Sequence, residues 1–240
     1  MEARWAAAAG AVGATVAGGL CLWALRTDGP RPAPSPLRAE DLPTDPYDLL
    51  AEWVDAASAR SGYAEGHAMT LATASSSDGP TARTVICQAM GESVGGLVVG
   101  TNRSSQKCRQ LLEQPRVECV FRWGDQQVRV RGEARLGSAR ESDAAFARLQ
   151  RGQQLGLSLL RQGQPADEVR HAALTSAWSA LAAKDDGAPV PRPEHFTAVC
   201  IRPVSFEFYQ GGSASYINDR WLFCRTPDGS GFRLVGRLEA

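Results

Sequence analysis

The chain has 240 residues, enough for one domain of moderate size plus an appendage, and length alone does not separate one domain from two. Its 26 Lys and Arg balance 26 Asp and Glu, so no global basic field argues for nucleic acid as a partner. The six cysteines form no CxxC pair and no Cys/His set has zinc spacing, which speaks against a metal site and a disulfide scaffold and fits a reducing compartment.

Residues 5–25 form an uncharged run rich in Ala and Gly, long enough to cross a bilayer as a helix. Trp5 and Trp23 near its ends suit interfacial anchoring. Arg26, Arg31 and Arg38 follow the run and only Arg4 precedes it, so the positive-inside tendency puts the main domain on a cytosolic or organelle-matrix side. A cleaved signal peptide fits less well, because Arg4 is opposed by Glu2. The expectation is an N-terminal membrane anchor or targeting segment over 1–26, a Pro-rich linker over 27–44 and one folded domain over 45–240.

That domain opens with a helix signal. Asp45 can cap a helix with Pro46 in its first position, Leu49, Leu50, Trp53, Val54 and Ala57 share one face, and Gly62 stops it. Two β-rich runs follow, over 68–74 and 81–88, joined by a Ser-Ser-Ser-Asp-Gly-Pro turn that reads as a hairpin. A third run over 97–101 empties into Asn102-Arg103-Ser104-Ser105 and a helical pattern starting near Gln106. This junction has the chemistry of an anion seat: hydroxyls from Thr101 and Ser105, unpaired N–H groups of the opening turn and the charge of Lys107, with Arg83 on the neighbouring strand able to close it. A capped helix with both cations solvated has the same spacing, and spacing alone favours that simpler arrangement.

Strands are expected over 117–123 and 127–136, the second alternating Val128, Val130 and Gly132 with Gln127, Arg129 and Arg131. Ser138 and Glu141 form a capping box for a helix to about Leu149, and helical patterns continue over 153–160 and 165–183. After a polar connector over 184–193, strands are expected over 196–201, 205–209, 221–225 and 232–238. Many antiparallel strands with helices inserted between them predict an α+β domain built on a barrel. His67, His171 and His195 lie far apart and read as ordinary surface or core histidines.

Eight pieces, AMTLATASSSDGPTARTV, VVGTNRSSQK, VECVFRW, QVRVRG, VPRPEHF, VSFEFYQG, NDRWLF and the terminal GRLEA, occur in an order that resembles the pyridoxine/pyridoxamine 5′-phosphate oxidase family. The resemblance spans 46–240 and implies an FMN-binding split β-barrel, mostly antiparallel, acting as a homodimer through its C-terminal strands over 196–240. It further implies that Arg83, Thr84, Val85 and Ile86 hold the FMN phosphate and isoalloxazine edge. Gly100, Thr101, Ser105, Gln106 and Lys107 would surround the phosphate, with Gln106 standing where Arg is usual. Gln127 matches a flavin-contacting Gln, while Gln162, Tyr209 and Arg220 match positions supplied by the second subunit, Tyr209 in place of Trp.

The substrate side departs from the family pattern. The Lys, Tyr, Arg and Ser that hold the substrate phosphate correspond to Gln88, Ala145, Leu149 and Gln153, and the Arg-x-His over the substrate ring corresponds to Tyr216-Ile217-Asn218. Gln88, Tyr216 and Asn218 are therefore the substrate-side candidates. Losing two charge-assisted contacts of about 1.5–3 kcal/mol each would weaken a phosphate ester on the order of a hundredfold to ten-thousandfold, unless Arg148 or Arg151 substitutes. Two readings follow. One is an FMN-dependent oxidase passing a hydride from pyridoxine or pyridoxamine 5′-phosphate, or another reduced aromatic compound, to flavin and then to dioxygen. The other is a non-catalytic or differently specific FMN-binding member.

Overall fold

The computed structural model describes residues 35–184, 187–211 and 217–239. Eight strands make one antiparallel sheet: β1 Ala68–Ser75, β2 Gly79–Gly91, β3 Gly96–Asn102, β4 Arg116–Trp123, β5 Gln126–Leu136, β6 Phe196–Gln210, β7 Asp219–Arg225 and β8 Phe232–Arg237. Their order is β3-β2-β1-β4-β5-β6-β7-β8, and an additional β3–β6 pairing closes the first six into a barrel. The helices are α1 Pro46–Ser61, α2 Tyr63–His67, α3 Gln106–Glu113, α4 Ala139–Ala147, α5 Arg151–Leu159 and α6 Glu168–Ala183. An α+β split barrel with inserted helices is the architecture that the alternating strands and the resemblance imply.

Local signals account for most boundaries. The Asp45 carboxylate accepts the Tyr47 N–H at 2.9 Å, and Gly62, at φ +90°, ends α1. Ser138 and Glu141 exchange both hydrogen bonds of the capping box at the start of α4. The barrel interior is filled by alternate residues such as Leu71, Phe121, Val128, Val130, Phe206 and Phe208. Helix α1 sets Tyr47 edge-on to Phe206 at 5.0 Å and Trp53 edge-on to Phe208 at 5.5 Å. A second cluster, with Phe146 of α4 against Phe196, Val98 and Ala198, covers the outside of β3 and β6.

The strands expected separately over 196–201 and 205–209 are one strand, β6. Pro203 lacks the N–H that a continuous ladder needs. A bulge resolves this: Arg131 faces Ser205 and Gly132 faces Pro203, so Val204 is skipped and stands 42 % exposed. The break is also where β6 changes partner, since residues 196–201 pair with β3 and residues 205–210 pair with β7. At the closing seam Gly96, at φ +129°, lies so near the Ile201 carbonyl that a Cβ there would be 1.9 Å from its oxygen.

Two expectations about the N-terminal region change. The proposed span over 5–25 lies outside the described residues, and among the described residues no helix is long and apolar enough to cross a membrane. Membrane anchoring, and the localisation drawn from it, are therefore withdrawn. The end of the stretch expected as linker is seated on the domain instead. The Leu37 N–H donates to the Asp219 carboxylate at 2.9 Å, the Leu37 carbonyl accepts from the Trp221 indole at 3.1 Å, and Leu37 and Leu42 pack on the core.

Candidate functional site

The junction between β3 and α3 holds a lysine removed from solvent. Lys107 is 5 % exposed, and its Nζ donates to Thr101 Oγ1 at 3.0 Å and to Gln162 Oε1 at 3.3 Å. Thr101 also donates to Gln162, at 3.1 Å. Burial pushes the Lys107 ammonium below the ordinary lysine value; Cys108 opposes the shift and the Arg83 guanidinium adds to it. A buried ammonium given only neutral oxygens is electrostatically incomplete, which is the condition of a site that receives an anion.

Lys107 lines a cavity of about 240 Å³. Thr84, Val85, Ile86 and Gln88 of β2 and Gly100 and Thr101 of β3 make its walls. Gln162 after α5, hydrogen-bonded to Lys107, also lines it, as do Tyr63, Arg148, Leu149 and Gln153. No carboxylate is among its described lining residues. Gly100 is required at the wall, because a Cβ would meet Phe196 at 2.7 Å and the Gln88 amide at 2.9 Å.

Arg83 stands beside this cavity and does not line it. Its guanidinium donates to the Leu71 carbonyl at 3.0 Å, to Thr73 at 2.6 Å and to Thr81 at 2.5 Å. Both threonines pass a hydrogen bond to Gln110 of α3, so Arg83 is braced between the hairpin and the helix that carries Lys107. Burial lowers its pKa, and its charge reaches Lys107. Two cations thus lie within electrostatic range of each other.

The other expected residues divide. Gln106 turns away, donating to Asp78 at 3.2 Å in the β1–β2 turn. Ser105 is the N-cap residue of α3 without a side-chain cap bond; its hydroxyl is buried with no hydrogen-bond partner, as is the Gln88 Oε1. Gln162, expected from a second subunit, reaches Lys107 within the same chain. Gln127, Tyr209 and Arg220 fall in one cross-strand row of β5, β6 and β7 and do not line the cavity. Arg220 there pairs with Glu207 at 3.1 Å. Asn218 is half-buried just before β7, and Tyr216 lies outside the described residues.

Tyr63 is the lining residue that the sequence reading missed. Its signal was an aromatic pair at i and i+4: Tyr63 stacks on His67 with centroids 4.0 Å apart. For FMN the fit is favourable. Lys107 supplies positive charge for a phosphate in the cavity, with Arg83 beside it and the unpartnered Ser105 hydroxyl two residues before Lys107, and residues 84–86 and Gly100 line the same space.

A family model described as pyridoxamine 5′-phosphate oxidase matches residues 56–183. A pyridoxine/pyridoxamine 5′-phosphate oxidase of Rubrobacter xylanophilus is 39 % identical over 197 residues, covering 81 % of this chain and 87 % of that protein. One of Bordetella petrii is 35 % identical over 207 residues, covering 85 % and 94 %. Among solved structures, PhzG from Burkholderia lata, in complex with tetrahydrophenazine-1-carboxylic acid, superposes with a TM-score of 0.73 at 23 % identity, covering 88 % of this chain and all of that one. A pyridoxamine 5′-phosphate oxidase-related, FMN binding protein of Nostoc punctiforme superposes with a TM-score of 0.63 at 18 % identity, covering 82 % and 98 %. These two structural likenesses bear on the fold.

Proposed function

Because the chain belongs to the pyridoxamine 5′-phosphate oxidase family, we propose that it is an FMN-dependent oxidase whose cofactor phosphate is held at Lys107. One observation carries this reading: a buried lysine wired to Thr101 and Gln162 in the lining of a cavity with no acid among its described lining residues. When bound, FMN would supply the hydride acceptor for a reduced pyridine-type substrate, with dioxygen as the terminal electron acceptor. Lys107, Thr101 and Gln162 bind the phosphate, the Arg83 charge adds to the field there, and Thr84, Val85 and Ile86 flank the ring.

The active form is read as a homodimer. Gln127, Tyr209 and Arg220 share a row but do not line the cavity of their own chain, so a role at a flavin site requires the cavity of a second copy. A differently specific or non-catalytic binder is the second reading, supported by Gln88 and Leu149 lining the cavity where the resemblance implies a substrate-phosphate Lys and Arg.

Anaerobic mixing of the purified protein with pyridoxamine 5′-phosphate separates these readings. A yellow protein that bleaches is expected of the oxidase, and one that stays yellow supports the second reading. A colourless protein that cannot be reconstituted with FMN overturns both.

A further inference from the structure

His195 stands half-buried just before β6, and its backbone is fixed to β3: the His195 carbonyl accepts the Arg103 N–H at 2.7 Å, and Phe196 pairs with Asn102. Its ring meets the end of α5. There a single nitrogen, Nε2, is 2.9 Å from the Leu157 carbonyl and 3.2 Å from a guanidinium nitrogen of Arg161. The carbonyl can only accept and the guanidinium can only donate, so one ring nitrogen cannot serve both at once. With a proton on Nε2 the imidazole donates to Leu157, in the last turn of α5, where carbonyls lack a partner within the helix. With its proton on Nδ1 instead, the ring accepts from Arg161. Protonation ends the choice: an imidazolium donates at Nε2, suits the C-terminal end of a helix and repels a guanidinium. A histidine capping α5 accounts for the Leu157 contact and leaves Arg161, at the same nitrogen, unexplained.

The choice matters because Arg161 adjoins Gln162. Gln162 reaches Lys107 and Thr101, the Leu160 carbonyl accepts from the Asn102 amide at 3.5 Å, and Arg161 reaches His195. Residues 160–162 are thus drawn by separate contacts onto the end of β3 and the residue beside it. Arg161 is exposed, and no carboxylate among the described residues pairs with it; its other contacts are the Ser158 and Leu160 carbonyls at 3.5 and 3.4 Å. The remaining charged groups around His195 are Arg103 in the β3–α3 turn, Glu194 before it in the chain, and Arg192, which is paired with Asp143 of α4. Among the described charged groups, Arg161 is the one in contact with the ring.

We propose that His195 is a positioning residue for the Lys107 seat: the neutral ring, accepting from Arg161, holds residues 160–162 so that Gln162 meets Lys107, and the imidazolium releases them. The proposal rests on the flavin reading for the identity of the anion, and on the contacts alone for the link from His195 to Gln162. FMN affinity should therefore fall as the pH drops through the range in which histidines titrate, from about pH 8 to about pH 5. A histidine that touched the phosphate as a cation would have the opposite sign and tighten FMN over the same range.

The test pairs two measurements on the full-length protein. In flavin-free protein the nitrogen signals of the imidazoles and the side-chain amide signals of the glutamines are followed by NMR across that pH range. At its upper end Nε2 of His195 is expected to carry no proton, and the Gln162 amide should shift in step with protonation of His195. FMN is then titrated by fluorescence over the same range. Its phosphate takes up a proton of its own at about pH 6, so the slope is read against His195→Gln, which keeps the phosphate and removes the titrating ring. The part due to His195 should be a loss of about two- to tenfold, the size of one neutral hydrogen bond. His195→Gln and Arg161→Gln should each abolish that part, the double variant should do no more than either, and Arg161→Lys should retain some of it. His171→Gln, on α6, should leave the native profile unchanged. A neutral His195 ring with its proton on Nε2, a Gln162 amide that ignores His195, a native slope equal to that of His195→Gln, or FMN binding that tightens as His195 protonates overturns the proposal. Gln162 following His195 in a protein that takes no FMN would leave the positioning role standing and remove the flavin reading; a protein that binds FMN while Gln162 ignores His195 would do the reverse.

Discussion

Lys107 gives the site a pH signature. Burial holds its ammonium below the value of 10.5 that it has in an unfolded chain. Between the lowered value and 10.5 the unfolded chain therefore binds more protons than the ligand-free folded protein. The destabilisation is fully present below the folded pKa and is relieved as pH rises through this window, so ligand-free stability climbs there. A bound phosphate favours the ammonium and reverses the preference, so FMN affinity should fall with rising pH over the same window. Urea midpoints and flavin fluorescence titrations against pH check the two slopes, and Lys107→Met should flatten both. At neutral pH each charge-assisted contact is worth about 1.5–3 kcal/mol. Arg83→Ala combined with Lys107→Ala should therefore strip the flavin during gel filtration, and retained flavin would show that the phosphate sits elsewhere.

Among the elements, the β3–β6 seam decides whether the barrel closes. Gly96→Ala puts a methyl group against the Ile201 carbonyl at a positive φ, and a loss of at least about 2 kcal/mol is expected by denaturant unfolding. Ser138→Ala removes one capping bond of α4 and should cost about 1 kcal/mol, visible as a small shift in midpoint with the flavin spectrum unchanged. The capping box and the Asp45 cap are legible in sequence because each is complete within four residues. The β6 bulge was not, because Pro203 reads as a strand end until pairing with β5 shows that the ladder continues past it by skipping Val204. The site divides in the same way: Lys107 and Thr101 lie six residues apart, whereas Tyr63 and Arg148 reach the same cavity only through the tertiary fold. Arg83 was legible as a cation on the neighbouring strand, but its side chain went to Thr73 and Thr81, partners set by the β1–β2 register.

For the molecule as a whole, the prediction that matters is assembly. If Tyr209 and Arg220 serve a second copy, sedimentation should give a dimer, and Arg220→Ala should weaken FMN while leaving Glu207 paired with Arg129 alone. Mixing that variant with Lys107→Ala protein should recover part of the flavin binding, since one shared site in each hybrid would carry both intact contributors. Asp219 has a different reach. One of its oxygens takes the Leu37 N–H and the other takes the Arg237 guanidinium, so a single carboxylate fastens the entry of the domain and its last strand side by side. The domain is thereby close to a ring whose ends can be moved. Joining residue 239 to residue 36 through a short Gly-Ser bridge and reopening the backbone in the exposed loop at Pro165–Ala166 should give a rearranged chain that folds to the same barrel.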